Sequence, residues 1–304
     1  MKLSVIIPCK NEEGNVEKLY KEFKNTLENI KYELIFIDDG STDNTLNVLK
    51  EIYEKDKKHI KILSFSRNFK KESAMLAGLD HSTGEYTCII DGDLQQNPSY
   101  LLNMIEFLDN NNDYDEVAMV VKNRNTENKV MSFFKKCFYK LIDKLSDIHF
   151  EENASDFRMF RENVKDAIIS LNEVNRFSKG IFSFVGFNVK YLTYEVEKRN
   201  SGESSFGFIN SVKYALSGII DFSTKPLKLS LVFGIIAIII SFIYLLLNIT
   251  NIETENIIIM LLLLFSGIQF IFIGIIGAYI SNIQSEVKNR PTYIIREKIG
   301  FKED

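Results

Sequence analysis

Short apolar segments alternate with helical patterns four times in the first third of the chain. The candidate strands cover residues 3–7, 33–37, 60–65 and 86–90, and each is apolar on both faces. Strands of this kind are buried on both sides, which is typical of a parallel sheet covered by helices. The sequence therefore predicts an α/β domain with a mostly parallel sheet and helices on both faces.

Polar clusters follow each of these candidate strands, at residues 8–13, 38–43, 66–72 and 91–95. In open parallel sheets, ligands bind beyond the carboxyl ends of the strands, so the four clusters predict one binding edge. A dinucleotide-binding domain is the obvious alternative. It is disfavoured because no Gly-x-Gly-x-x-Gly motif follows the first strand and no Walker lysine loop occurs.

The segment 91–95 carries two carboxylates and a carboxamide, those of Asp91, Asp93 and Gln95. If the segment is extended, these alternate residues share one face and their oxygen atoms converge. Mg²⁺ and Mn²⁺ prefer such oxygen ligands, usually together with water and phosphate oxygens. The segment therefore predicts a divalent metal site, and an acidic turn is the alternative for this motif taken alone.

Together the polar clusters resemble the nucleotide-sugar-binding half of a family 2 glycosyltransferase, a family with the GT-A fold. The resemblance is carried by VIIPCKNEE at 5–13, FIDDGSTD at 36–43, SRNF at 66–69 and DGDLQ at 91–95. It implies donor-binding roles for Pro8, Asn11, Glu12, Asp38, Asp39, Arg67 and Asp91. Within this set, Asp39 would hydrogen-bond the nucleotide base.

The resemblance also implies that Asp91, Asp93 and Gln95 hold Mg²⁺ or Mn²⁺ against the diphosphate, with Asp93 acting as a catalytic residue. A divalent cation stabilises the negative charge that a leaving nucleoside diphosphate gains. In the acceptor-side motif at 155–160, the family's aspartate is usually assigned as the catalytic base, and here it is Asp156. A lipid phosphate already carries roughly −1.5 to −2 charges, so Asp156 either acts as a weak base or orients the acceptor.

Arg158 and the segment 199–204 are the predicted ligands of the acceptor phosphate. The segment matches the Arg-x-x-Gly-x-Ser pattern of the polyprenyl-phosphate branch of the family, with Arg199 and Ser204 at its ends. Arginine binds phosphate through two parallel hydrogen bonds, and a Gly/Ser loop can present backbone N–H groups. The branch includes bacterial bactoprenol-phosphate glucosyltransferases and, more distantly, dolichol-phosphate mannose synthases.

Two segments without charged residues, 229–252 and 256–285, follow the predicted catalytic part. Each exceeds the roughly 20 residues that a helix needs to cross a bilayer. Their outer flanks carry Lys and Arg while the short connector carries only Glu253 and Glu255, so both flanks are predicted to be cytoplasmic. Two buried core helices are the alternative, and a domain of this size has little need of them.

The predicted organisation has five parts. They are the donor half at 1–125, the acceptor half at 126–206, an amphipathic interface helix at 207–225, two transmembrane helices at 226–284 and a cytoplasmic tail at 285–304. A core helix is the alternative for 207–225. Apolar residues at helical spacing within 133–145 are interpreted as a further helix that packs on the sheet.

The resemblance implies inverting transfer of a hexose from a nucleotide sugar to polyprenyl phosphate, with undecaprenyl phosphate as acceptor. UDP-glucose is the first choice of donor, and GDP-mannose or another UDP-sugar is the alternative. The resemblance implies that the protein acts at the cytoplasmic face of a bacterial inner membrane. Its product would then serve the modification of cell-surface glycans. Self-association through the transmembrane helices stays open.

Other functions fit the sequence less well. A net charge of −4 offers no basic excess for nucleic acid. A processive polysaccharide synthase normally carries a Gln-x-x-Arg-Trp motif, and this chain has no tryptophan. An enzyme acting on a soluble acceptor would not explain the segment 199–204 beside membrane helices. A membrane scaffold without turnover predicts a broken site, whereas Asp39, Asp91 and Asp93 are present.

Overall fold

The computed structural model describes residues 1–122, 154–196 and 255–301, together with positions 236, 239, 240 and 243. The chain divides into two compact units. The first contains residues 1–136, 150–207 and 291–304, and the second contains residues 137–149 and 208–290.

The first unit is an α/β domain. Its strands are β1 Leu3–Cys9, β2 Tyr32–Asp38, β3 Ile60–Phe65, β4 Tyr86–Ile89, β5 Glu116–Val121, β6 Ala154–Arg161, β7 Val189–Tyr194 and β8 Ile295–Ile299. Its helices are α1 Val16–Thr26, α2 Thr45–Lys55, α3 Lys71–Asp80, α4 Tyr100–Asn110, α5 Glu162–Ser170 and α6 Ser178–Phe184. The four predicted strands of the donor half are therefore confirmed.

All eight strands form one sheet in the order β7-β5-β6-β4-β1-β2-β3-β8. The central strands β4, β1, β2 and β3 run parallel, and so do β5 and β7. Strand β6 is antiparallel to both β4 and β5, and β8 is antiparallel to β3. The prediction of a mostly parallel sheet is confirmed, and the antiparallel strands lie in the acceptor half and the C-terminal segment.

Helices cover both faces of the central strands, as predicted. Val5 and Ile7 belong to the same buried cluster as Leu19 and Phe23 of α1. On the opposite face, α3 approaches β1 so closely that a Cβ on Gly78 would lie 2.3 Å from Ile6 Cγ2. Because every residue of β2 is buried, this strand has apolar side chains on both faces rather than an alternating pattern.

Helix α2 begins later than its sequence suggests. Ser41 and Thr42 are residue types that favour the N-cap position, but the helix begins at Thr45 after Asn44, which makes no side-chain capping bond. The reason is that Ser41 and Thr42 are engaged by the neighbouring loop. Both bond to Asn11 instead of closing a helical turn.

The predicted cytoplasmic tail at 285–304 also contains more structure than the sequence indicated. Residues 295–299 form β8 at the edge of the catalytic sheet. The sequence does not predict this strand, because its Arg296 and Lys298 fit the positively charged cytoplasmic flank of a membrane helix.

The described part of the second unit is dominated by α7, Glu255–Val287, a helix of 33 residues. Within it, Phe265–Val287 is long and apolar enough to cross a membrane by length and composition, and none of it is buried. The other predicted span at 229–252 lies outside the described residues, apart from a few helical positions. The predicted helices at 133–145 and 207–225 also lie outside them, so the hairpin stays a prediction.

Candidate active site

The loops after β1 and β2 are joined through Asn11 and Glu12. The Asn11 backbone N–H donates to Ser41 Oγ at 3.0 Å, and Asn11 Oδ1 accepts the Thr42 N–H at 2.9 Å. The Glu12 N–H donates to Thr45 Oγ1 at 2.8 Å. Asn11 has a φ of +56°, a conformation that asparagine adopts more readily than most residues. These two predicted donor-binding residues therefore connect the first two loops of the predicted binding edge. Pro8, just before them, is half-buried in β1.

Asp38 and Asp39 at the end of β2 have different surroundings. Asp38 accepts the Ser41 N–H at 3.1 Å and the Ser64 hydroxyl at 2.9 Å, so it builds the turn. Asp39 Oδ1 accepts the Phe69 N–H at 2.6 Å, which ties it to the third loop. Burial raises the pKa of the Asp39 carboxyl, and the Phe69 N–H only partly opposes that rise.

Gly40 allows the second and third loops to touch. It has a φ of +61°, and a Cβ there would lie 2.5 Å from the carbonyl carbon of Arg67. The Arg67 side chain is exposed, and its guanidinium lies 4.0 Å from the centre of the Phe69 ring. The structure therefore brings Asp39 and the Arg67 loop together, as the resemblance implied.

The segment 91–95 does not have the extended conformation on which its convergence was predicted. Leu94 has a φ of +62°, and the segment turns there. Asp93 Oδ1 accepts the Gln95 N–H at 3.1 Å within this turn. The prediction that Asp91, Asp93 and Gln95 share one face of an extended segment is therefore wrong, because the left-handed residue breaks the alternation.

Gln96, which is not among the residues predicted from the sequence, fixes Asp91. Gln96 Oε1 accepts the Asp91 N–H at 2.9 Å, and Gln96 Nε2 donates to Asp91 Oδ2 at 3.0 Å. Its side chain is buried, as a carboxamide can be when both its ends are hydrogen-bonded. The available signal was a second carboxamide directly after the aspartate motif.

The donor set at this turn fits a hard divalent cation. Mg²⁺ is commonly held by one or two carboxylates together with substrate phosphates, rather than by a cage made of protein alone. Asp91 is 30% exposed at its side chain and Asp93 is partly exposed, so both can be reached by a ligand. Across the described residues, no group of three or more His, Cys, Asp and Glu side chains is placed to hold a metal. Phosphate oxygens of a substrate and water molecules are the usual further ligands of such a cation.

Lys71 joins the donor side to the acceptor side. Its Nζ lies 2.6 Å from Asp91 Oδ1 and 2.7 Å from Asp156 Oδ2. Lys71 begins α3, whereas Asp156 lies in the antiparallel strand β6. Burial lowers the pKa of the Lys71 ammonium, but the two carboxylates outweigh that effect and raise it, so Lys71 stays charged. Lys71 was not predicted as a site residue from the sequence, although it belongs to the polar cluster at 66–72.

Asp156 is held as an anion. Burial acts to raise the pKa of its carboxyl, but Lys71, with smaller contributions from Lys179 and Arg158, lowers it to about 2. Its second oxygen, Oδ1, is buried and has no hydrogen-bond partner among the residues that the structure describes. A buried carboxylate oxygen without a partner is costly, so this atom is ready to accept a hydrogen bond or bind a cation.

Arg158 is packed inside the domain. Its Nη1 lies 2.6 Å from Glu116 Oε1, and the two side chains are 6% and 0% exposed. Its guanidinium also lies 3.7 Å from the centre of the Phe182 ring. These contacts fix β6 to β5 and α6, and a phosphate-binding role for Arg158 stays a prediction. The other predicted phosphate ligands, Arg199 and Ser204, lie outside the described residues.

The sheet, with its carboxylates beyond the parallel strands, defines a GT-A-type glycosyltransferase domain. The family model for glycosyl transferase family 2 matches residues 4–168. The chain therefore belongs to glycosyl transferase family 2, as the resemblance of its motifs predicted.

Curated relatives match the chain over nearly its whole length. It is 38% identical over 305 residues to the putative glycosyltransferase CsbB of Bacillus subtilis, covering 97% of this chain and 91% of that protein. It is 36% identical over 306 residues to the SfII prophage-derived bactoprenol glucosyl transferase of Shigella flexneri, covering 98% of each.

Solved structures show the same fold at low sequence identity. Staphylococcus aureus TarS 1-349 in complex with UDP-GlcNAc gives a TM-score of 0.51 at 19% identity, covering 72% of this chain and 66% of that one. Glucosyl-3-phosphoglycerate synthase from Mycobacterium tuberculosis, crystallised with Mn²⁺, UDP-glucose and phosphoglyceric acid, gives a TM-score of 0.52 at 17% identity, covering 72% and 77%. At these identities the likeness concerns the fold alone.

Proposed function

We propose that the protein is a membrane-bound, inverting hexosyltransferase that moves a sugar from a nucleotide sugar to polyprenyl phosphate. The observation that carries this proposal is the convergence of Asp91 and Asp156 on Lys71, with Nζ–O distances of 2.6 and 2.7 Å. One ammonium group thus holds a donor-side and an acceptor-side carboxylate close together, which favours a single site for transfer. The relatives named bactoprenol glucosyl transferase support a bactoprenol acceptor and glucose as the sugar. Undecaprenyl phosphate is the acceptor and UDP-glucose the donor in this proposal.

The donor occupies the loops beyond β1, β2 and β4 in this proposal. Asp39 binds the nucleotide base, while Pro8, Asn11, Glu12, Asp38 and Arg67 form the nucleoside pocket or hold its loops. Asp91, Asp93 and Gln95 would hold Mg²⁺ or Mn²⁺, and the bound ion would supply positive charge against the leaving diphosphate. The Mn²⁺ in a solved structure of the same fold supports a divalent ion.

The acceptor phosphate approaches the sugar from the side opposite to the diphosphate. One of its oxygen atoms attacks C1 of the sugar, the bond from C1 to the diphosphate oxygen breaks, and the electron pair leaves with the nucleoside diphosphate. The configuration at C1 inverts. Positioning and electrostatics supply most of the rate, because a charged phosphate is already a competent nucleophile.

Asp156 orients the acceptor rather than acting as a strong base. A carboxyl whose pKa is held at about 2 has little tendency to take a proton at neutral pH. Lys71 keeps Asp156 ionised and at a fixed distance from Asp91, and is therefore a positioning residue. Arg199 and Ser204 bind the acceptor phosphate, whereas Arg158 contributes chiefly by fixing the strand that carries Asp156.

The membrane part of the proposal consists of two transmembrane helices with the catalytic domain and both termini in the cytoplasm. The apolar stretch Phe265–Val287 of α7 supports one of these helices. Nucleotide sugars are cytosolic and polyprenyl phosphates are lipids, so an enzyme held at the cytoplasmic face of the inner membrane meets both. The product would serve cell-surface glycan modification, and the helices offer a surface for self-association.

The test is transfer by the purified full-length protein. It is incubated with undecaprenyl phosphate and UDP-glucose, other UDP-sugars or GDP-mannose, with Mg²⁺, with Mn²⁺ or with a chelator, and glycolipid is measured by mass spectrometry. We expect product from UDP-glucose that requires the metal. No product from any donor would favour a scaffold without turnover.

A pair of variants tests the metal site in the same assay. Asp93→Asn should lose about 100-fold or more in rate while unfolding at the wild-type temperature, since it removes charge from a transition-state contact. Glu106→Gln, on the exposed face of α4, is the control and should retain full activity. Unchanged transfer by Asp93→Asn would overturn the metal assignment.

A further inference from the structure

The segment 291–301 returns to the catalytic sheet next to the donor edge. Strand β8 pairs antiparallel with β3, with Ile299 opposite Ile62 and Ile295 opposite Phe65. Beyond the end of β3, the Ser66 N–H donates to the Ile294 carbonyl oxygen at 3.0 Å. The C-terminal segment therefore bonds to the first residue of the loop 66–69.

Tyr293 anchors this end of the segment. Its ring stacks on Phe65 with centroids 5.3 Å apart and an angle of 12° between the planes. Its hydroxyl donates to Asp80 Oδ2, at the end of α3, at 2.6 Å. Burial and the hydrogen bond to Asp80 raise the pKa of the Tyr293 hydroxyl, so it remains a neutral donor at physiological pH.

A continuous set of contacts leads from Tyr293 to Asp39. Phe65 meets Phe69 edge to face, with centroids 5.7 Å apart. The Phe69 N–H in turn donates to Asp39 Oδ1 at 2.6 Å. The loop 66–69 is thus held on one side by Asp39 and on the other by Tyr293 and Ile294.

The other end of β8 makes contacts that do not reach this loop. Phe301 packs against His81 with ring centroids 5.3 Å apart, and Lys61 Nζ lies 5.0 Å from its ring centre. Loss of the Phe301 ring would loosen the strand without touching residues 66–69. Substitutions at the two ends of the segment therefore distinguish an effect on the donor loop from an effect on stability alone.

We propose that Tyr293 is a positioning residue for nucleoside binding, acting through Phe65 and the loop 66–69 on the Asp39 carboxylate. The ligand whose affinity it sets is a nucleoside diphosphate. This inference rests on the proposed role of Asp39 in binding the nucleotide base. Since β8 follows α7 in the chain, the segment that connects the apolar helix to the catalytic sheet also orders the donor site.

The experiment measures binding of UDP and GDP to the full-length protein by calorimetry, together with KM and kcat. Tyr293→Ala should weaken nucleoside diphosphate binding by up to about tenfold, because the energy of one aromatic stacking contact is the most that its loss can pass on to the binding loop. The donor KM should rise similarly, while kcat and the acceptor KM stay near the wild-type values. Tyr293→Phe keeps the stacking and loses only the hydroxyl, so its affinity for UDP should lie between those of the wild type and Tyr293→Ala.

Phe301→Ala is the matched control, and it should lower the unfolding temperature without changing the affinity for UDP. Equal weakening by Phe301→Ala, or wild-type affinity in folded Tyr293→Ala, would overturn the inference. If Tyr293→Ala does not fold, the milder Tyr293→Leu and Tyr293→Phe decide by the same criterion. Failure of the wild-type protein to bind either nucleotide would overturn the proposed function as well, which distinguishes the two failures.

Discussion

The donor half and the acceptor half of the sheet hold their carboxylates by different means. In the donor half, Asp38 and Asp39 accept hydrogen bonds from backbone N–H groups and a hydroxyl. Beside β6 of the acceptor half the partners are charged: Arg158 pairs with Glu116, and Lys71 pairs with both Asp156 and Asp91. Asp38 and Asp39 are therefore held mainly by neutral groups, whereas the carboxylates that meet the residues of β6 are balanced by cations of the protein.

This difference predicts that substitutions in the two halves will lower the stability of the protein by different amounts. Loss of a neutral hydrogen-bond partner usually costs about 0.5–1.5 kcal/mol. Loss of one member of a buried ion pair costs about 3–5 kcal/mol, because the remaining charge is left without compensation. Substitutions in the acceptor half should therefore affect folding more than those in the donor loops.

The largest effect is expected for Arg158→Met. It leaves Glu116 buried without its cation, which should lower the free energy of unfolding by about 3–5 kcal/mol. Denaturant unfolding in detergent measures this loss. Arg67→Met is a matched control, because Arg67 also lies over a phenylalanine ring but is exposed. Wild-type stability of Arg158→Met with a raised acceptor KM would instead make Arg158 a phosphate ligand.

Lys71→Met tests the contact between the two halves. We expect kcat to fall about 100-fold, the scale seen when a preorganised electrostatic contact is removed. Binding of UDP should change little, since Lys71 contacts carboxylates rather than the nucleoside loops. Lys70→Met, at the exposed neighbouring position, should keep full activity. A kcat within a few-fold of the wild type would refute a positioning role for Lys71.

Gly40→Ala probes the donor loops alone. The new Cβ would lie 2.5 Å from the Arg67 backbone, and the φ of +61° adds strain. We expect a loss of about 1–3 kcal/mol in stability together with weaker UDP binding. Gly186→Ala distinguishes backbone strain from steric contact. Gly186 also has a positive φ, of +69°, but the nearest neighbour of a Cβ there would be 3.8 Å away. If both variants bind UDP equally well, the close approach of the loops has no part in nucleotide binding.

The smallest effect is expected at Glu33, a donor-half carboxylate at the start of β2, away from the site. It accepts bonds from the Ser4 hydroxyl and the Thr83 N–H and pairs with Lys61. Burial acts to raise its pKa, but these partners outweigh burial and lower it. Glu33→Gln should cost about 1–2 kcal/mol at pH 7.

The pH dependence of that cost follows from the lowered pKa. The stability that Glu33 contributes is complete above the ordinary glutamate pKa of 4.5 and is lost as the pH falls through the lower folded value. The difference between wild type and Glu33→Gln, measured by denaturant unfolding, should therefore shrink below about pH 4.5. A difference that grows in acid would contradict this assignment.

The sequence was sufficient for the features that depend on local pattern. Apolar segments located the four parallel strands, and the motifs after them identified the family. The position of residues 91–95 was correct, but their extended geometry was not. A leucine at positive φ is uncommon, and no residue type in the segment signals it.

Long-range contacts could not be predicted from local sequence patterns. Lys71 and Asp156 are 85 positions apart, and they meet only because β6 inserts antiparallel beside β4. Strand β8 was missed for another reason. Its charged residues are those that an exposed edge strand carries, and the same residues fit the positive flank of a membrane helix.

Strand β8 also determines which shortened forms of the protein can remain soluble. Without it, β3 would become the edge of the sheet, with Ile62 and Leu63 beside a row of unpaired backbone groups. An edge of this kind pairs readily with other chains and leads to aggregation. A catalytic domain cut away from α7 should therefore be produced with residues 291–301 supplied as a fused or separate strand, and β8 would then serve as a cap against self-association.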